Sequence, residues 1–190
     1  MTPELITISP IDGSVAVQRS YATPAEIQAA LTRAKRAQRS WQSTPLATRA
    51  ALVTNAVEAL LAHKDAIAEE LTRQMGRPIR HTPGEVDGFA ARARHMIAIA
   101  GDALADVVPP AMEGYTRFIK RTPVGVVLVV APWNYPLLTA VNAIVPALLA
   151  GNVVLLKHSA QTPLVAERFA AAIPLSGSAG RRVSVFAHDP

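Results

Sequence analysis

Between Arg121 and Lys157 the chain carries no charged side chain. A run this long and apolar either spans a bilayer or lies inside a folded core. Its punctuation decides between the two. Pro132, Asn134, Pro136, Asn142, Pro146 and the Gly151–Asn152 pair interrupt it, and a Trp-Asn-Tyr-Pro turn at mid-span would leave backbone groups unsatisfied in lipid. The stretch therefore reads as strand, loop, helix and strand within a core. Residues 124–130 are continuous, apolar and rich in valine, as in strands buried on both faces of a parallel sheet. Residues 135–150 read as an apolar helix, 153–156 as a second buried strand and 162–173 as a further helix. That order of elements is the order of an α/β fold, with a parallel sheet and helical crossovers. Residues 115–121 alternate like an exposed strand, and 183–186 suit a third sheet strand.

Upstream the pattern is different. Residues 5–22 alternate on either side of Asp12-Gly13, which predicts a β-hairpin. Thr23-Pro24-Ala25-Glu26 has the composition of a helix start, with a capping threonine, proline in the first turn and glutamate as the capping-box partner. Ile27, Ala30, Leu31, Ala34 and Ala37 then recur at helical spacing up to about Trp41. Residues 46–75 read as one longer helix, with a stripe of Val53, Val57, Leu60, Leu61, Ile67 and Leu71, stopped by Gly76-Arg77-Pro78. A third helix runs from 85 to about 106 with Met96, Ile97 and Leu104 facing inward. The organisation expected is a hairpin over 1–22, a helical segment over 23–110 and a dinucleotide-binding α/β portion over 115–190.

Several function classes fall away on composition. The formal net charge is +5, yet the basic residues form no tract interleaved with aromatics, and solvated helix faces explain them, so no nucleic-acid partner is expected. The sequence contains no cysteine, which removes disulfides, thiolate metal sites and thiolate catalysis by this chain itself. The five histidines are not paired at metal-ligand spacing. The N-terminus lacks a basic start followed by an apolar run, as a secretory signal would have, so the expected location is cytoplasmic, with no membrane partner.

In an open parallel sheet, ligands bind beyond the carboxyl ends of the strands. One such end leads into Ala131-Pro132-Trp133-Asn134-Tyr135-Pro136. Asn134, between two prolines, either caps the following helix or presents a fixed amide to a developing oxyanion. The other end is Leu155-Leu156-Lys157-His158-Ser159. Lys157 is either a donor to ribose or phosphate or simply the first solvated residue after a strand. There is no Gly-x-Gly-x-x-Gly and no Walker A sequence, and the glycine pair at 177 and 180 reads as a turn. Adjacent His158 and Ser159 point opposite ways on an extended chain and form no nucleophile–base pair.

The run Pro-Val-Gly-Val-Val-Leu-Val-Val-Ala-Pro-Trp-Asn-Tyr-Pro over 123–136 closely resembles the strand and loop of the aldehyde dehydrogenase family. So does Pro-Ala-Leu-Leu-Ala-Gly-Asn-Val-Val-Leu-Leu-Lys over 146–157, followed by Gln161-Thr162-Pro163. Ile8-Ser9-Pro10-Ile11-Asp12-Gly13 and Met75-Gly76-Arg77-Pro78 agree, and the likeness runs from Ile8 to about Ala172. The resemblance implies an aldehyde-dehydrogenase-like α/β fold: an N-terminal helical segment plus the start of a Rossmann-like parallel sheet, incomplete. It implies Asn134 as oxyanion donor, Val130, Ala131, Pro132 and Trp133 lining the cofactor cleft, and Lys157 on the adenosine ribose or its phosphate. NAD or NADP would be the cofactor and an aldehyde the substrate. Three features depart from the family. Ala160 stands where a ribose-binding glutamate is common, residues from 173 onward fit poorly, and the catalytic cysteine and general-base glutamate have no counterpart here. The expectation is therefore the N-terminal part of an NAD(P)-dependent aldehyde dehydrogenase, truncated and inactive alone. The alternative is a non-catalytic assembly or binding partner of a full-length relative or of a separately encoded remainder, and a homo-oligomer or association with a family relative is the partner expected.

Overall fold

The computed structural model describes residues 4–173 and the backbone of strand residues 183–186. The hairpin forms as the alternation predicts. Strands β1 (Glu4–Ile8) and β2 (Val15–Ser20) pair antiparallel, with a register shift at Thr7/Ile8. Leu5, Thr7 and Val17 point inward and are buried. The Thr7 hydroxyl donates to the Ala160 carbonyl at 2.7 Å, tying the hairpin to a loop far along the sequence.

Helix α1 (Pro24–Trp41) starts with the complete capping box: the Thr23 hydroxyl accepts from the Glu26 N–H, and the Glu26 carboxylate accepts from the Thr23 N–H at 2.8 Å. The single helix expected over 46–75 is two, α2 (Leu46–Leu61) and α3 (Lys64–Met75). The chain leaves helical geometry at His63, φ −108° and ψ 19°. No glycine or proline marks the break, and the apolar stripe resumes with Ile67, Ala68 and Leu71, so periodicity alone runs straight through it. Gly76 ends α3 in the left-handed region, φ 75°, and a Cβ there would lie 2.8 Å from the Pro10 side chain. Glycine is required twice over, for the backbone and for the hairpin's approach. A short 3-10 turn (Ile79–His81) leads into α4 (Thr82–Ala103). Its fully buried stripe is Val86, Phe89, Ala90, Ala93 and Ala100, whereas Met96, Ile97 and Leu104 pack against the core only in part.

Residues 115–121 form no strand. Two isolated bridges, Val107–Ile119 and Met112–Tyr115, are all the pairing found there. The parallel sheet follows, in order β3 (Val126–Ala131), β4 (Val153–His158), β5 (Val183–Phe186), joined by α5 (Pro136–Leu149) and α6 (Pro163–Ala172). The third strand read at 183–186 is present, while the glycine turn read at 177–180 lies outside the described residues. Helices α5 and α6 pack against the sheet, on one face as the usual right-handed crossover between adjacent parallel strands requires, with α2, α3 and α4 packed around them. Helix α1 lies against the other face.

Burial on both faces holds for β4 and fails for β3. Val153, Val154 and Leu156 are inaccessible, but Leu128 is 63% and Val130 67% exposed. Strand β3 is an edge of the three-stranded sheet, and α1 leaves the outer half of its face uncovered. Composition cannot distinguish a central strand from an edge strand whose apolar face awaits a partner. Among the described residues no helix is long and apolar enough to cross a membrane.

Candidate functional site

The loop between β3 and α5 is held by residues distant in sequence. Glu85, one turn into α4, is buried, and its carboxylate accepts from the Leu137 N–H at 3.0 Å. It thus caps the N-terminus of α5, where the helix's own sequence supplies no side-chain cap. Arg77, just past Gly76, pairs with the same carboxylate. Its other amino group donates to the Asn134 carbonyl at 2.5 Å, and its guanidinium carbon sits 4.6 Å from the Tyr135 ring centroid. Burial raises the Glu85 carboxyl above the usual range, and Arg77 together with the α5 N–H groups opposes that rise.

Asn134 does not cap α5, because the N-cap position is Tyr135. Asn134 is exposed and fixed through its backbone by Arg77. The capping alternative is therefore removed, and the side-chain amide remains available at the carboxyl end of β3. Trp133 and Tyr135 on either side are about half exposed.

The end of β4 is organised by His158. Its Nε2–H donates to the Pro136 carbonyl at 3.3 Å, and its Nδ1 accepts from the Ser159 N–H at 3.0 Å and the Thr162 hydroxyl at 3.2 Å. Both ring nitrogens are thereby assigned, and the ring is neutral; burial pushes its pKa down to about 4. His158 is a brace between the two strand-end loops, not a base. Gln74 plays a similar part for α6, accepting from the Leu164 N–H at 3.1 Å.

Lys157 and Val130 are register partners on one face of the sheet, and their side chains line a groove of about 760 Å³ between the sheet and α1. Its floor is apolar, with Leu31, Leu128 and Leu155. Lys157 is half-buried and makes no ion pair among the described residues. Of Val130, Ala131, Pro132 and Trp133, Val130 lines this groove with its side chain, and Pro132 and Trp133 stand exposed on the loop. Ala131 is buried beside His158 on the opposite face and can offer only backbone. A second groove, about 570 Å³, runs between α4 and α5 and starts at Tyr135. No cluster of three or more His, Asp or Glu suited to a metal exists among the described residues.

The family model "Aldehyde dehydrogenase family" matches residues 2–178. The chain belongs to the aldehyde dehydrogenase family. It is 36% identical over 168 residues to a benzaldehyde dehydrogenase [NAD(+)] of Pseudomonas putida, covering 85% of this chain and 34% of that protein. It is 35% identical over 178 residues to succinate-semialdehyde dehydrogenase [NADP(+)] 1 of Mycobacterium bovis, covering 91% and 38%. The fold superposes on an NAD-dependent benzaldehyde dehydrogenase from Corynebacterium glutamicum with TM-score 0.87 at 29% identity, over 100% of this chain and 41% of that one. The chain thus spans about a third of the length of the curated relatives it matches.

Sequence reading missed Arg77 and Glu85 as parts of this site. Arg77 stood out only within the Gly76-Arg77-Pro78 helix stop, and Glu85 only as the expected first residue of a helix. The signal that marks them is a charged residue followed at i+8 by its opposite across a helix start, and that signal is common.

Proposed function

We propose that this chain forms the cofactor-side N-terminal part of an NAD(P)-dependent aldehyde dehydrogenase, inactive by itself. The observation that carries the reading is the pairing of Val130 with Lys157 across β3 and β4, which puts an uncommitted ammonium beside an apolar groove at the carboxyl ends of parallel strands. The groove's floor suits the flat faces of a dinucleotide, and Lys157 would donate to the adenosine ribose or its phosphate. Ala160 offers no carboxylate against a 2′-phosphate, so both NAD and NADP are candidates. Bound there, the dinucleotide supplies the hydride acceptor.

The roles left to this chain's own residues are binding and positioning. The Asn134 amide would donate to the oxygen of an aldehyde carbonyl as negative charge develops on it. Arg77 would hold that amide through the Asn134 backbone. A thiolate nucleophile must come from outside these 190 residues, since they include no cysteine. The exposed β3 face favours a second role beside this one, assembly with a further polypeptide, either a second copy or a family relative.

Lys157→Ala tests the cofactor reading. It is expected to weaken dinucleotide binding roughly tenfold, the loss of one charge-assisted contact. Asn134→Ala should leave that affinity unchanged, because its part is toward the carbonyl. Equal affinity in the Lys157→Ala variant, or detectable aldehyde oxidation by the purified chain alone, would remove the reading.

A further inference from the structure

The groove between α4 and α5 has a composition that the cofactor reading does not use. Arg92 and His95 on α4 and Thr139 and Asn142 on α5 line it, and no carboxylate does. The arginine is held in place: its Nε–H donates to Asn142 Oδ1 at 2.9 Å, while Asn142 Nδ2 donates to the Leu138 carbonyl at 2.8 Å, which fixes the amide's orientation. That leaves both guanidinium amino groups of Arg92 free of hydrogen bonds among the described residues. They form a fork suited to a planar anion. His95 lies one turn further along the same helix face. The groove begins at Tyr135, the residue after Asn134, and Asn142 is two turns along α5, about 10 Å of rise.

We propose that Arg92, held by Asn142, is a specificity-determining residue that selects aldehydes carrying a carboxylate at the end remote from the carbonyl. The inference rests on the reading that the reacting carbonyl lies at Asn134. It separates carboxylate-bearing substrates from uncharged aromatic ones, which would leave the guanidinium fork and the Asn142–Arg92 pair without a partner. No bond is made or broken in this step, since the groove only binds and orients.

The test is a titration of the isotope-labelled chain, followed by NMR, with hexanoate, hexanamide and benzyl alcohol. Hexanoate and hexanamide share a length and differ in charge. Amide signals of Arg92, His95, Thr139 and Asn142 should move with hexanoate, at an affinity about fivefold tighter than for hexanamide, the scale of one exposed charge-assisted pair. Arg92→Gln should abolish that preference. Asn142→Leu retains the positive charge but removes its anchor. It should reduce the hexanoate-over-hexanamide preference with the fold intact, which a purely structural role of the Arg92–Asn142 pair would not do. Hexanamide or benzyl alcohol binding as tightly as hexanoate, or a preference that survives Arg92→Gln, would overturn the proposal. Dinucleotide affinity is read on the same samples. Charge selectivity retained in a chain that binds no dinucleotide would leave the anion site standing and remove only the cofactor reading.

Discussion

Arg77→Ala lowers the unfolding free energy by about 3 kcal/mol at pH 7, because it strands the buried Glu85 carboxylate. The Glu85 side chain is 1% and the Arg77 side chain 14% exposed, so little solvent can replace the guanidinium. The Leu137 N–H remains as a partner, which keeps the loss toward the lower end for a broken buried pair. The deficit should shrink as pH falls toward 5. Glu85 already has a raised pKa from burial, and without Arg77 it takes up a proton more readily. Urea denaturation at the two pH values measures both effects. Adding Glu85→Gln to the variant should recover part of the loss, since a neutral amide still accepts from Leu137 and needs no cation. A double variant as unstable as Arg77→Ala would mean that the guanidinium acts through Asn134 and Tyr135 and not through the buried charge.

The second large effect is acid destabilisation through His158. Its folded pKa is depressed from 6.5 to about 4. Between those values the unfolded chain binds a proton that the folded chain refuses, so stability is complete above about pH 6.5 and falls as pH drops toward 4. The loss attributable to this ring is about 3 kcal/mol once both values are passed. Glu85 titrates in the opposite sense, because its raised folded pKa lets the folded state take up a proton first as pH falls. Comparison with His158→Asn separates the two. The variant should start less stable at pH 7, having lost the brace to Pro136 and Thr162, yet lose less on acidification. Parallel stability curves for parent and variant between pH 7 and 4 would show that His158 is not the group that titrates.

The parts of the fold that were legible are those with local causes. The Thr23–Glu26 capping box, the Gly76 stop and the Asp12-Gly13 hairpin are written in a few adjacent residues, and each appears where it was expected. The β-α-β-α order was legible because burial on a sheet demands continuous apolar strands. Three features were not. The break at His63 carries no breaker residue, the exposure of Leu128 and Val130 depends on what lies beside β3, and residues 115–121 alternate without finding a strand to pair with. The site shows the same division. Asn134 and Lys157 sit at strand ends that periodicity locates. Their supports, Arg77, Glu85 and His158, are placed by tertiary contacts, which no spacing along the chain encodes.

The central claim is that the carboxyl ends of β3 and β4 form a dinucleotide site within this chain. Calorimetric titration of the purified chain with NAD and with NADP tests it most directly. The account predicts saturable binding of at least one of them at one site per chain. A folded sample, with its cooperative melting transition intact, that gives no binding heat and no shift in that transition with either dinucleotide would contradict it.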